Sequence, residues 1–497
     1  MAHVLILPYP SQGHISPMLQ FAMDLTSKGL NVTLVTTSYI TKSINSQIGN
    51  VSIASISDGY DEGGVRSASS LEVYLDSLEV VGSKSLKELI EKYNQSTEPF
   101  TCMVFDTYVP WGDKVAKSVG LPSIAFSTQS CAVSAIYHLV RKEILDVPEP
   151  GIIKEMIGLP SMERSEFPSF ALKDGSYPTL AAFALDQFNG NKNDWVLFNS
   201  FDELETEVKS SRLAITVLKD HFHARAIGPC VPFLPKADGH GNTYGMSLLE
   251  PEDDVCMKWL NGKPAKSVVY VSFGSFASIQ NKQMEELAEG LKGSGKNFLW
   301  VVRAAEQKTL PKGFAENPGE NGQIVTWSPQ LKVLANEAVG CFLTHCGWNS
   351  TLEAISFGVP MLAMPQWTDQ PTNAKFIEDV WGTGIRAKAG EEGFIGRKEI
   401  MKCIEEIMDG EKGCMIRNNA KKLKESAKEA VTDGGSSDRN LNEFVAYVNA
   451  MTENSPKANG KKVWMACLDE LGIVGIVWKS GKSRKSGKSA IPRSFGW

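Results

Sequence analysis

The chain has 497 residues, 42% hydrophobic and 22% charged, which suits two or three packed domains and excludes disorder as the main state. Lys and Arg number 51 against 57 Asp and Glu, a formal charge of -6 that makes a poor surface for gripping a polyanion and argues against a nucleic-acid partner. Nine Cys without a CxxC pair read as buried or free thiols of a reducing compartment, the start MAHVLILPYP lacks the basic and long apolar parts of a signal peptide, and no run approaches the ~18 apolar residues of a membrane span. A cytoplasmic protein without a membrane span is expected, and a monomer.

In chain order, His3–Pro8 reads as a strand, Ser16–Lys28 as an amphipathic helix and Asn31–Thr37 as a second strand, together a βαβ unit. Strands are expected again at Thr101–Asp106, Ser123–Ser127 and Trp195–Ser200, with a helix over Trp111–Val119. Pro232–Asp254, rich in turn residues and poor in periodicity, reads as a linker. A second α/β series follows, with strands at Ser267–Phe273, Phe298–Arg303, Gln323–Trp327, Gly340–Thr344 and Pro360–Met364 and helices at Lys282–Lys292, Thr351–Phe357 and Asn373–Asp379. Two parallel, doubly wound sheets would each present their ligand loops beyond the carboxyl ends of their strands, toward a cleft between them. The expected partition is a first domain over 1–235, a linker over 236–254, a second domain over 255–451 whose last helix can return to the first, and a disordered tail over 452–497 that carries a net charge of +6.

The densest chemistry lies between Trp327 and Gln370. A strand runs into His345-Cys346-Gly347-Trp348-Asn349-Ser350 and a helix then begins, so its unpaired N–H groups and partial positive charge suit a diphosphate, and Gly347 admits the anion close to the backbone. His345, Asn349 and Ser350 can add donors, Glu353 can accept from two ribose hydroxyls, and Trp327 offers a flat face to a base. Taken alone, the turn reads equally as a helix cap among buried aromatics.

The whole stretch, however, resembles the signature box of the plant UDP-dependent glycosyltransferases, which runs 44 residues from a Trp to a Gln, as Trp327 to Gln370 does here, with WxPQ, THCGWNSxLE, GVPM and PQWTDQPTNA matching. The resemblance implies two facing Rossmann-like domains of GT-B type over roughly residues 1–450, the nucleotide sugar on the second and the acceptor on the first. By matching position, Trp327 would stack on uracil, the Gln330 of WxPQ would belong to the donor site, Glu353 would hold the ribose, and His345, Gly347, Asn349 and Ser350, with Gly274 and Ser275 after VVYVSF, would lie by the diphosphate. Trp348, Asp369 and Gln370 would read the sugar, a closing Gln going with glucose in this family and a His with galactose.

GHISP in the first domain resembles the family's GHxxP element, whose His is the general base, so His14 would fill that role with Asp106 as its partner; Pro17 is expected to open the helix, with His14 on the loop before it. By spacing alone His14 could be structural and Asp106 a loop cap. Asp113, seven residues beyond Asp106, competes for the role but is expected on the solvent face of its helix. A neutral imidazole can take the proton of an attacking hydroxyl, and a carboxylate on its other nitrogen fixes the tautomer. No Asp-x-Asp pair occurs, so no metal is suggested and UDP-glucose is the only co-substrate expected. The expected reaction is an inverting transfer of glucose to a hydroxyl or carboxyl of a small lipophilic plant metabolite, with Tyr108, Trp111, Gln129, Phe183 and Trp367 lining the acceptor pocket unless they are core. A nicotinamide oxidoreductase would share the fold, but no GxGxxG follows an expected strand; a ligand-binding scaffold without turnover is the other alternative.

Overall fold

The structure is a computed structural model and describes residues 1–44, 47–147, 151–153, 159–172, 177–187, 194–205, 214–232 and 253–453. Most of the expected linker and nearly all of the expected tail lie outside these residues. Residues Met1–Val448 form one compact unit; of the second, Asn449–Trp497, only the end of a helix is described.

The strands in chain order are β1 (His3–Leu7), β2 (Asn31–Thr37), β3 (Gln47–Ile48), β4 (Val51–Ile56), β5 (Cys102–Asp106), β6 (Ser123–Ser127), β7 (Ile152–Ile153), β8 (Met162–Glu163), β9 (Trp195–Phe198), β10 (His223–Ala226), β11 (Val268–Ser272), β12 (Asn297–Val301), β13 (Gly322–Val325), β14 (Val339–Thr344), β15 (Met361–Ala363) and β16 (Gly384–Arg386). The first sheet has the order β10-β9-β6-β5-β1-β2-β4-β3, parallel except for the β3–β4 pair, and the second the order β13-β12-β11-β14-β15-β16, parallel throughout. The sequence favours parallel sheets because the central strands are unbroken apolar runs: HVLIL in β1 and VVYVS in β11 are buried at every residue, as strands covered by helices on both faces must be.

Each sheet reverses its direction of growth once, between β1 and β5 in the first and between β11 and β14 in the second. There the flanking helices leave on opposite faces and a crevice opens beyond the strand ends. His14 follows β1 and Asp106 ends β5; Gly274 follows β11 and His345 follows β14. Both clusters picked out in the sequence therefore lie at the reversal of their own sheet.

The boundaries of the expected strands are met to within two residues, while β3, β4, β7, β8, β10 and β16 lie outside the sequence expectation. The helices differ more. The first runs Gln12–Ser27, four residues earlier than expected, so Pro17 lies inside it and His14 in its first turn, not on a loop. The helix after β14 spans Trp348–Phe357, three residues earlier than expected, with Gly347 as its N-cap and Gly358, at φ +70°, closing it. The expected Asn373–Asp379 helix is a Gln370–Lys375 helix that continues as a π-helical turn to Val380.

The helix that begins at Ser436 packs on the first sheet. Phe444 is fully buried against Phe21 (6.0 Å between ring centroids) and Trp195 (5.6 Å), Glu443 pairs with Arg225 at 2.8 Å, and Ser437 Oγ donates to the carbonyl of Gly228 at 2.5 Å. Phe444→Ala should cost about 3–5 kcal/mol, the usual loss for a buried aromatic and the cavity it leaves. A denaturant midpoint within error of wild type would contradict that packing.

Candidate functional site

A cavity of about 920 Å³ lies between the two sheets, lined from the first by Tyr9–His14, Tyr108, Thr128 and Gln129 and from the second by Gly274, Trp327, His345, Glu353 and the Trp367–Gln370 segment. Asp106 is fully buried at the end of β5, and its Oδ2 lies 2.6 Å from His14 Nδ1. A carboxylate only accepts, so Nδ1 carries the proton of that bond. The carboxylate is itself held, by the Tyr108 N–H at 2.9 Å on Oδ1 and the Tyr9 N–H at 3.4 Å on Oδ2. Thr128 Oγ1 lies 3.0 Å from the same His14 nitrogen, and the ring sits edge-to-face between Tyr9 (5.1 Å) and Tyr108 (5.2 Å). His14 thus has few orientations open to it. Asp113 lies elsewhere, but it is not on a fully solvated face: it accepts from Ser123 Oγ at 2.6 Å and from Lys117 at 2.7 Å, with 24% of its side chain exposed.

Pro17 explains a bond across the cleft. An N–H at position 17 would donate to the Gly13 carbonyl; proline has none, so that carbonyl is left open inside the helix. Asn349 Nδ2, from the other side of the cleft, donates to it. The helix tolerates its proline because the missing bond is replaced from the facing domain.

On the second sheet, the His345 ring is wedged between two glycines. A Cβ on Gly274, which has φ +73°, would stand 2.8 Å from the ring, and one on Gly347 would stand 2.6 Å from Nε2. Both glycines are therefore required by the histidine, as well as leaving the backbone open to an anion. Burial pushes the His345 imidazole down to about 4, against a small raising effect of the Ser272 backbone, so near neutral pH it is uncharged and donates through one nitrogen only. Ser275 is exposed at the rim, where the Arg303 guanidinium donates to its carbonyl and to that of Ala277.

Gln330 ties the first turn of the Trp348–Phe357 helix to the Pro329 loop. Its Nε2 donates to Glu353 Oε2 at 2.6 Å and to Ser350 Oγ at 2.9 Å, while Tyr270 donates to its Oε1 at 2.9 Å. Ser350 accepts in that bond and keeps its proton for a ligand. Trp327 is partly exposed in the cavity wall.

Asp369 and Gln370 are both buried in the wall. Burial raises the Asp369 carboxyl, although Thr368 Oγ1 (2.6 Å) and Asn373 Nδ2 (2.7 Å) donate to it. Gln370 Oε1 is occupied by the N–H groups of Gln366 (2.9 Å) and Trp367 (3.1 Å), which leaves its amide N–H groups as the end available to a ligand.

Three expectations need correction. Trp348 lines the cavity, but its indole N–H donates to the Asn199 carbonyl at 2.7 Å, so the side chain has no donor left for a sugar hydroxyl. Trp111 is core: it is 1% exposed, stands against Gly82 and does not line the cleft. Phe183 is likewise buried behind the wall, which Phe170 and Leu180 form in its place. Tyr108, Gln129 and Trp367 do line the cavity. Gln129 donates to the Tyr108 hydroxyl at 2.8 Å, and Trp367 meets Phe170 (5.9 Å), Tyr177 (5.3 Å) and Phe276 (5.5 Å). Tyr9, Thr128 and Arg303 were not singled out in the sequence. Thr128 and Arg303 stand one and two residues past the carboxyl ends of β6 and β12, so the strand-end rule itself would have found them. Among the described residues, no group of three or more His, Cys, Asp or Glu is arranged to hold a metal ion.

Two Rossmann-like domains with a cleft between their strand ends define a GT-B fold, the class of many nucleotide-sugar transferases. The family model "UDP-glucoronosyl and UDP-glucosyl transferase" matches residues 203–427. The chain is 49% identical over 473 residues to indole-3-acetate beta-glucosyltransferase of Zea mays, covering 90% of this chain and 98% of that one. It is 43% identical over 455 residues to flavonol 7-O-beta-glucosyltransferase UGT74F1 of Arabidopsis thaliana, with the same two coverages. The crystal structure of Os79 from O. sativa in complex with UDP superposes with a TM-score of 0.82 at 38% identity, over 90% of this chain and 100% of that one. The chain belongs to the UDP-glycosyltransferase family.

The His345 shift has a measurable consequence. Its folded value lies below the unfolded 6.5, so as pH falls the unfolded chain takes up the proton first, and stability is greatest above 6.5 and declines toward 4. Between pH 7 and pH 5 the melting temperature of wild type should fall further than that of His345→Gln, which has no proton to gain. Parallel melting curves across that range would contradict the shift.

Proposed function

We propose that the protein transfers glucose from UDP-glucose, with inversion and without a metal, to a hydroxyl or carboxyl of a small lipophilic acceptor. The observation that carries this reading is the His14–Asp106 pair, with Nδ1 bonded to the carboxylate, in a cavity shared with the glycine-flanked helix start at Trp348. The first domain, 1–235, takes the acceptor and the second, 255–451, the donor, joined by a linker over 236–254.

In the proposed reaction His14 Nε2 removes the proton of the acceptor hydroxyl while its oxygen attacks the anomeric carbon from the face opposite UDP. The bond from that carbon to the diphosphate oxygen breaks, and its electron pair leaves on UDP. The negative charge that develops is met by the N–H groups at the start of the Trp348–Phe357 helix, the Ser350 hydroxyl and the neutral His345 ring, which lets the departing UDP go without a cation. Asp106 stays ionised and stabilises the imidazolium. Trp327 stacks on the uracil, Glu353 holds the ribose, and Asp369 with the amide of Gln370 reads the glucose. A carboxylic acid is already ionised near neutral pH and needs no base.

The names of the maize and Arabidopsis relatives, one for an acid and one for a flavonol, span both acceptor types and support glucose as the sugar. The wall of Tyr108, Phe170, Leu180 and Trp367 with one amide, Gln129, suits a flat, largely apolar acceptor. The eight described Cys are unpaired and seven are buried, in keeping with the cytoplasm. Among the described residues no helix is long and apolar enough to cross a membrane.

The test is incubation with UDP-glucose and a panel of aryl-acetic acids, flavonols and terpenoid alcohols, following UDP release and the proton coupling at the anomeric carbon of each product. A β-linked product with metal chelator present is expected. An α-linked product, or UDP release abolished by chelator, would overturn the mechanism.

A further inference from the structure

Thr368 is a β-branched residue at φ +56°, a region such residues rarely enter, and it immediately precedes Asp369 and Gln370. Both of its main-chain polar groups are held by one residue of the other domain. Ser169 Oγ accepts the Thr368 N–H at 2.9 Å, and the Ser169 N–H donates to the Thr368 carbonyl at 2.9 Å. Thr368 in turn donates from Oγ1 to Asp369 Oδ1 at 2.6 Å.

Ser169 is itself on an anchored segment. Thr372 Oγ1 donates to the Glu166 carbonyl at 2.7 Å, and the Glu166 carboxylate lies 3.1 Å from Lys375 Nζ and 3.5 Å from Arg386. The other Glu166 oxygen accepts the Glu163 N–H at 2.8 Å, so the carboxylate is fixed from both domains. Burial would lower the Lys375 ammonium, but Asp379 and Glu166 outweigh it and hold it raised and charged. The same segment carries Phe170, which lines the acceptor side of the cavity and packs on Trp367.

We propose that the Glu166–Ser169 segment is a positioning element for the donor sugar: Ser169 holds Thr368 in its left-handed conformation and so aims Asp369 and Gln370 at the hexose of a nucleotide sugar. Discrimination between hexoses that differ at one hydroxyl is then set partly by the first domain, and acceptor-side and sugar-side selectivity share one support. The proposal rests on the reading above that Asp369 and Gln370 contact the sugar.

Ser169→Ala removes the hydroxyl that accepts from Thr368 and keeps the main-chain donor. The ratio of kcat/KM for UDP-glucose to that for UDP-galactose should fall about tenfold, equivalent to about 1.4 kcal/mol, while calorimetric affinity for UDP itself stays at the wild-type value. Ser169→Thr, which retains the hydroxyl, should keep the ratio. Adding Thr368→Asn to Ser169→Ala should bring the ratio back toward wild type, because asparagine enters a positive φ far more readily than threonine and keeps a side-chain donor for Asp369. A Ser169→Ala enzyme whose rates with both sugars drop together, or do not drop, leaves the ratio unchanged and overturns the proposal while wild-type discrimination preserves the sugar-reading assignment. Wild-type enzyme that treats the two sugars alike overturns that assignment and the proposal with it.

Discussion

A histidine can serve as base toward a substrate only if its other nitrogen holds the proton, and here a carboxylate buried beyond the reach of water enforces that choice at 2.6 Å from His14 Nδ1. The pair can exist because β1 and β5 are neighbours in register, Leu7 beside Phe105, so the loop after one strand and the last residue of the other meet at the sheet's reversal. Asp106 is in turn held by the N–H groups of Tyr9 and Tyr108, one from each of those loops. The placement of this pair is thus a consequence of strand order.

The proposed base on one domain has to stand at a fixed distance from a donor on the other, and several bonds across the cleft hold the two sides together. Asn349 donates to the carbonyl beside His14 that Pro17 leaves open, Trp348 donates to the Asn199 carbonyl, Trp381 Nε1 donates to the Leu204 carbonyl at 3.2 Å, and Ser169 grips Thr368. Three of these four contacts come from residues within the Trp327–Gln370 stretch. The stretch therefore has two roles, lining the cleft and fastening itself to the domain that faces it. That second role explains why Trp348, whose ring could be read as a sugar contact, spends its only side-chain donor on the opposite domain.

Much of this was legible in the sequence. Unbroken runs such as VVYVSF suit buried parallel strands, and Gly347 beside His345 marks a close approach, which the histidine ring itself requires. The first helix was placed four residues late because proline usually opens a helix, and only the tertiary bond to Gly13 shows why it need not do so here. For Trp111 and Phe183 the sequence leaves pocket and core both open, and the structure puts them in the core, because an aromatic near a strand end is the same letter whether it faces the core or the cleft. The positive φ of Thr368 leaves no trace in a sequence, since nothing about threonine announces it.

The most direct measurement is the kcat/KM of His14→Ala with an alcohol acceptor and with a carboxylic acid acceptor in parallel, with UDP affinity measured on the same preparation. Transfer to the alcohol should fall by roughly 10² to 10⁴, the usual contribution of a positioned base, while the acid loses much less and UDP binds as before. An alcohol glucosylated by His14→Ala at the wild-type rate, with the same β-linkage, would contradict the account, because the proton would then be leaving by a route that does not pass through His14.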